Sequence, residues 1–140
     1  MNRSSLQTII LGYDGSEGSG RAAELASTIA AAFDSTVIVV VAFPSYPRIS
    51  SPSKEDAVEI MRAREIGEEL TTRLRDRGLR AETDVLEGPA ADAILRAAEA
   101  RGADLIVVGS RGYGQVAGLL LGSVSNRIAH EADRPVLVAR

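Results

Sequence analysis

Five of the thirteen glycines in this 140-residue chain, at positions 109, 112, 114, 118 and 122, fall in one short stretch. The sequence there reads Gly109-Ser110-Arg111-Gly112-Tyr113-Gly114 and, further on, Gly122-Ser123-Val124-Ser125. Glycine lets a backbone turn tightly and come close to a ligand without a β-carbon in the way. If a helix opens at Ser123, its first N–H groups and its positive end face the same space, and the Ser123 and Ser125 hydroxyls add donors. That combination binds phosphate. Arg111 and Arg127 are the nearby cations that would suit the same anion. The plainer reading is a turn rich in glycine with Ser123 as a helix cap. Against it, an ordinary connection needs only a few residues, far fewer than this segment uses.

A second group is Gly12-Tyr13-Asp14-Gly15-Ser16. A carboxylate at the end of a strand can accept hydrogen bonds from the hydroxyls of a ribose. The same residues serve equally well as an Asx-turn or a helix cap, and the spacing does not choose between the two roles. Other chemistry is excluded. No Gly-Lys-Ser/Thr occurs, which removes the P-loop, and no Gly-x-Gly-x-x-Gly follows the first strand, which removes the dinucleotide fingerprint. The chain has no cysteine and one histidine, His130, so disulfides, zinc–thiolate sites and multi-histidine metal sites are out. No Ser-His-Asp grouping can be built around His130, which is expected to sit in the last turns of a helix, favoured by its dipole or partly buried.

These residues need a scaffold, and the hydropathy pattern supplies one. Five short β-branched runs read as strands: Leu6 to Tyr13, Val37 to Phe43, Arg80 to Glu87, Ala103 to Val108 and Pro135 to Ala139. The unbroken Val and Ile runs fit strands covered on both faces, as in a parallel sheet. The alternation in Arg80 to Glu87 is looser and suits an edge. Four helical stretches separate the strands. Gly18 to Phe33 carries Ala22, Leu25, Ala26, Ile29, Ala30 and Phe33 inward, with Ser16 or Ser19 as its cap. Lys54 to Arg77 is expected to bury Val58, Met61, Ile66, Leu70 and Leu74, with Gly78 as a left-handed C-cap. Pro89 suits the first turn of a third helix with Ile94, Leu95 and Ala98 as its stripe, ended by Gly102. Ser123 to Ala132 would turn Val124, Ile128 and Ala129 to the sheet before Pro135 stops it. The order βαβαβαβαβ defines a single-domain, open, mostly parallel α/β sheet with helices on both faces.

Bulk properties agree. Apolar residues make up 45% of the chain and charged residues 25%, ordinary values for one globular domain. Only two Phe, three Tyr and no Trp are present, and the formal charge is −3, so neither base stacking nor a nucleic-acid backbone is served. No apolar run approaches a membrane span, and the first eight residues lack the apolar core of a secretory signal. The cytoplasm is the expected compartment. The stretch from Pro44 to Ser53, with three prolines and four serines, reads as a surface connection; its place after the second strand also suits a gate.

Gly109-x-x-Gly112, nine residues, then Gly122-Ser123 resembles the ATP-binding signature of the universal stress protein family. The likeness runs along essentially the whole chain, through Asp14-Gly15-Ser16, Gly88-Pro89-Ala90 and the closing Arg134-Pro135-Val136-Leu137-Val138. It implies a sheet order of 3-2-1-4-5 and residues 1–140 as one nucleotide-binding domain. It also implies ATP as ligand, with Mg2+ accompanying the triphosphate and no metal cage built by the protein. By resemblance, Asp14 binds the ribose and the backbone at Ala42 borders the adenine, where the family often has valine. Gly109, Gly112, Gly122, Ser123, Val124 and Ser125 line the phosphates. Gly12 and Tyr13 flank the nucleotide where many relatives carry proline and a small polar residue, so the bulk of Tyr13 alters the pocket. Val41 stands where the family often has histidine, a change of little weight for a backbone contact. A homodimer through the fifth strand is implied too, and it would cover an apolar edge.

The function that this resemblance implies is a stress-response regulator or sensor, with ATP ordering the glycine loop and the 44–53 segment. A slow ATPase or phosphotransfer enzyme and a nucleotide-free interaction module are the other readings. A two-component receiver domain fits poorly: the third strand ends in Glu87-Gly88-Pro89 and the last third of the chain has no lysine.

Overall fold

The structure is a computed structural model that describes residues 6–44, 54–111 and 121–140. Five strands, β1 (Thr8–Gly12), β2 (Thr36–Phe43), β3 (Arg80–Glu87), β4 (Leu105–Gly109) and β5 (Val136–Ala139), alternate with four helices. The helices are α1 (Glu17–Phe33), α2 (Lys54–Asp76), α3 (Ala90–Arg101) and α4 (Ser123–Glu131). The sheet runs β3-β2-β1-β4-β5, and every neighbouring pair is parallel. The expected order and fold class hold.

Why both faces are covered follows from the period of two. Ile9, Leu11, Val37, Val39, Val41, Leu105 and Val107 pack with the small residues of α1 and with Ala63, Leu70 and Leu74 of α2. The alternate residues Ile10, Ile38, Val40, Ile106 and Val108 pack under α3 and Ile128 of α4. The result is a helix–sheet–helix sandwich with an aliphatic core.

The helix ends obey local chemistry. Ser16, not Ser19, is the N-cap of α1, its hydroxyl accepting from the Ser19 N–H at 3.3 Å. Asp34 closes α1 in the left-handed region at φ 57°, a cap the sequence reading passed over. Gly78 and Gly102 take positive φ, as expected. Pro89 stands one residue earlier than expected, as the N-cap of α3 rather than in its first turn. Arg134 donates to the carbonyls of Ala98 and Ala103 at 2.7 and 3.0 Å and so ties the end of α3 to the approach to β5.

Expectations about three helix faces fail in part. Val58 and Met61 of α2 are 55% and 69% exposed, and the helix instead buries Ala63, Gly67, Leu70, Thr71 and Leu74. This inner face is built partly of small and polar residues, because α2 lies close on β2 and β3. A β-carbon on Gly67 would stand 2.5 Å from Thr83 Cγ2 and 3.1 Å from Val41 Cγ2. Phe33 at the end of α1 and Ala129 of α4 are likewise exposed rather than inward.

Candidate functional site

β1 is flanked by β2 on one side and β4 on the other, so the chain reverses its winding there. At such a switch the two connections leave in opposite directions and open a crevice beyond the C-terminal strand ends. The sequence motifs gather around it.

Asp14 follows β1 and is exposed. Its Oδ1 accepts from the Ser16 N–H and from the Ser19 hydroxyl, both at 2.9 Å. Oδ2 has no hydrogen bond among the described residues. The carboxylate is therefore an Asx-turn acceptor through one oxygen and open through the other, and the two roles weighed on sequence are compatible. Gly12 is buried, and a β-carbon there would meet Ile94 Cδ1 at 2.6 Å. Tyr13 is half-buried, packs against the α1/α2 side of the core, and donates its N–H to the Val40 carbonyl at 3.0 Å. Ala42 is half-buried near the end of β2, paired in register with Leu86 of β3.

Across the switch, β4 ends at Gly109 and the backbone passes directly over the start of α1. A β-carbon on Gly109 would lie 2.6 Å from the Gly18 carbonyl carbon and oxygen, and one on Gly18 would lie 2.0 Å from the Arg111 carbonyl oxygen. The bareness of Gly109 is thus taken up by a helix backbone. Gly18 is a residue the sequence reading missed. Its signal was a glycine in the first turn of a helix with no turn to make.

The other end of the glycine stretch returns to the same place. Gly122 donates its N–H to the Ser110 carbonyl at 2.5 Å, and Ser110 donates its own to Ala139 at 2.6 Å. Ser125 is buried; its hydroxyl donates to the Ser110 carbonyl at 2.7 Å and accepts from the Gly122 N–H at 3.1 Å. Its hydroxyl holds the loop ends together, and its proton is given to the Ser110 carbonyl. Gly122 is the N-cap of α4, and the first intrahelical bond comes from Asn126 at 3.0 Å. The N–H groups of Ser123, Val124 and Ser125 consequently have no helical partner. Ser123 is exposed and Val124 half-buried. Gly112 and residues 45–53 lie outside the described residues.

Of the two arginines, Arg111 is half-buried and makes no ion pair among the described residues. Arg127 is committed elsewhere, bridging Asp92 of α3 and Glu131 of its own helix. The Arg127 hydrogen bond holds the Asp92 carboxyl below its ordinary range, and the same contacts raise the guanidinium. This bridge lines a groove of about 700 Å3 between α3 and α4, bordered also by Glu87, Pro89 and Arg96. Apart from Arg127, none of the candidate residues lines it. His130 is exposed, with Nδ1 2.9 Å from the Asn126 carbonyl, and is not partly buried. Among the described residues no group of three acidic, histidine or cysteine side chains stands close enough to hold a metal. No described helix is long and apolar enough to cross a membrane.

A parallel sheet wound both ways from β1, with an open carboxylate on one side of the switch and helix N–H groups without a helical partner on the other, defines a doubly wound α/β domain. Residues 5–140 match the Universal stress protein family. The "Universal stress protein in QAH/OAS sulfhydrylase 3′ region" of Thermus aquaticus is 40% identical over 140 residues, spanning 96% of this chain and 98% of its own length. The UspA structure from Lactobacillus plantarum has a TM-score of 0.86 over 99% of this chain and 100% of its own, at 18% identity, a likeness of fold. A universal stress protein in complex with cAMP has a TM-score of 0.79 over 98% of this chain and 99% of its own, at 30% identity. The chain belongs to the universal stress protein family.

Proposed function

We propose that this protein binds an adenine nucleotide in the crevice between the ends of β1 and β4 and acts as a stress-response regulator of the cytoplasm. The observation that carries the reading is a chain of contacts. Asp14 is tied to Ser19, Gly18 to Gly109 and Arg111, and Ser110 to Gly122, so a carboxylate and a helix N-terminus share one crevice. A relative in complex with cAMP supports the ligand class.

In this reading Asp14 Oδ2 accepts from a ribose hydroxyl, and the backbone of Ala42 borders the adenine, with Gly12 and Tyr13 beside it. The free N–H groups of Ser123, Val124 and Ser125 and the positive end of α4 face the phosphates. Gly109 and Gly122 let the backbone segments beneath the phosphates pack together, Gly112 belongs to the same loop by resemblance, and Arg111, without an ion pair among the described residues, is the nearby cation. ATP is the ligand that uses the whole glycine segment, with Mg2+ carried by the triphosphate. Residues 1–140 then form one nucleotide-binding domain.

A homodimer through β5 belongs to the same proposal. Pro135 and Ala139 give their carbonyls to β4, so by the period of two Val136 and Val138 turn their hydrogen-bonding groups outward. A second copy pairs that edge and covers its valines.

Calorimetric titration of nucleotide-free protein with ATP and magnesium, AMP and cAMP tests the binding. One site per chain is expected, weakened at least tenfold in Asp14→Ala. Absence of heat with all three ligands would overturn the nucleotide reading and favour an interaction module. Phosphate released in proportion to protein, and lost in Asp14→Ala, would replace the regulator with an enzyme.

A further inference from the structure

The hydroxyl of Ser19 takes part in more hydrogen bonds than capping requires. Ser16 already caps α1 by accepting from the Ser19 N–H. Ser19, three residues into the helix and 5% exposed, turns its side chain back past the cap to Asp14. Its Oγ accepts from the Asp14 N–H at 3.3 Å and from the Ser16 hydroxyl at 3.3 Å. Its one proton has two acceptors in reach, Asp14 Oδ1 at 2.9 Å and the Ser16 carbonyl at 3.0 Å. The ionised carboxylate is the stronger of the two. With the Ser16 N–H also at 2.9 Å, Oδ1 holds two donors while Oδ2 holds none among the described residues.

We propose that Ser19 is a positioning residue for the ligand-binding carboxylate: it fixes Asp14 in one rotamer with Oδ1 occupied and Oδ2 presented to a ligand hydroxyl. The inference rests on the nucleotide reading above and adds a residue to it. An exposed aspartate is ordinarily free to rotate, and ordering it on binding weakens affinity. Here a buried hydroxyl on a rigid helix orders it beforehand. The benefit reaches only ligands that use Asp14, so it depends on a ribose hydroxyl and on nothing else in the nucleotide.

Two measurements test this on the full chain. The first titrates ATP and 2′,3′-dideoxy-ATP, each with magnesium, into parent, Ser19→Ala, Asp14→Ala and the double variant. Ser19→Ala is expected to weaken ATP by about three- to tenfold, the effect of one released side chain. It should leave dideoxy-ATP unchanged and add nothing in the Asp14→Ala background. Equal losses for both ligands, or losses that add in the double variant, would mean that Ser19 only supports the helix. The second needs no ligand: three-bond side-chain couplings of Asp14 should report one rotamer in the parent and averaging in Ser19→Ala. Unchanged couplings overturn the proposal even if nucleotide binds. A parent that binds neither ligand overturns the nucleotide reading instead, and with it the ligand half of this inference, whatever the couplings show.

Discussion

Gly18 and Gly109 meet backbone to backbone: the space for a β-carbon on Gly109 is filled at 2.6 Å by the carbonyl group of Gly18. Gly18 in turn leaves room for the carbonyl oxygen of Arg111. Two glycines far apart in sequence thus let the start of α1 slide under the loop leaving β4. The contact ties the Asp14 turn to the residues that leave β4, Gly109 to Arg111.

Gly18→Ala should therefore act on the loop more than on the helix. Its methyl would arrive 2.0 Å from a backbone oxygen, which no rotamer change relieves. A loss of about 1–3 kcal/mol in stability, typical of overpacking, is expected by urea unfolding. Nucleotide affinity should fall about tenfold or more, equivalent to roughly 1.4 kcal/mol. Gly20→Ala is the matching control two residues on. Nothing lies within 4 Å of its added carbon, so it should gain about 0.5–1 kcal/mol from helix propensity and leave binding alone.

Ser125→Ala removes the hydroxyl that bridges Ser110 and Gly122. The Ser110 carbonyl keeps the Gly122 N–H but loses a buried partner, a change of about 1–2 kcal/mol on unfolding. Hydrogen exchange at Gly122 and Ser110 should rise more than at Ile128, which lies deep in the core. Equal acceleration at all three would assign the serine a role in global stability alone.

The elements were legible in the sequence because their signals are local. β3 is legible to the residue, and the other elements to within one or two residues, from β-branched runs, capping residues and punctuation by Gly and Pro. The glycine segment and Asp14 stood out as chemistry for the same reason. Gly18, Ser19 and Gly67 did not, because what they do depends on atoms brought near by the fold. The inner face of α2 shows the limit plainly. Val58 and Met61 carried the hydropathy, yet the helix buries Gly67 and Thr71, since close approach to β3 favours small side chains over apolar ones. Arg127 was read as a candidate cation from nearness in sequence, whereas its partner Asp92 lies on another helix.

Gly67→Ala tests that close approach. The added methyl faces Thr83 Cγ2, whose own hydroxyl sits 2.7 Å from Thr71 Oγ1 and resists turning away. A net loss of up to about 2 kcal/mol is expected after the helix-propensity gain. Thr83→Ser deletes the opposing methyl and keeps the hydroxyl, so Gly67→Ala/Thr83→Ser should recover most of the loss. Strictly additive melting shifts would mean that the two residues are not in contact.

The Asp92–Arg127 bridge gives a dependence on acid. The folded Asp92 carboxyl titrates below its ordinary range, chiefly through the Arg127 hydrogen bond. Its contribution is complete above the unfolded value of about 3.9 and disappears as pH falls through the folded one. The difference in Tm between parent and Asp92→Asn should accordingly be present at pH 7 and close well below pH 4. Both partners are substantially exposed, so added salt should shrink it as well.

Val138→Pro addresses the proposed dimer. Proline at that place removes an N–H that points away from β4 and spares the ladder bonds on the inner side. Sedimentation equilibrium should show a dimer for the parent and a monomer for the variant, with similar circular dichroism.

The two borders of the sheet differ in a way that limits assembly. β3 closes one side with Glu82 and Asp84, bridged by Arg101 at 3.2 and 2.6 Å, a charged strand that repels a copy of itself. β5 ends the other side with valines and, among the described residues, bare backbone. A molecule with one adhesive border has a valence of one. In the proposed dimer, two copies joined at β5 saturate each other and leave only charged rims facing outward, so strand addition terminates at the pair instead of propagating into a ribbon.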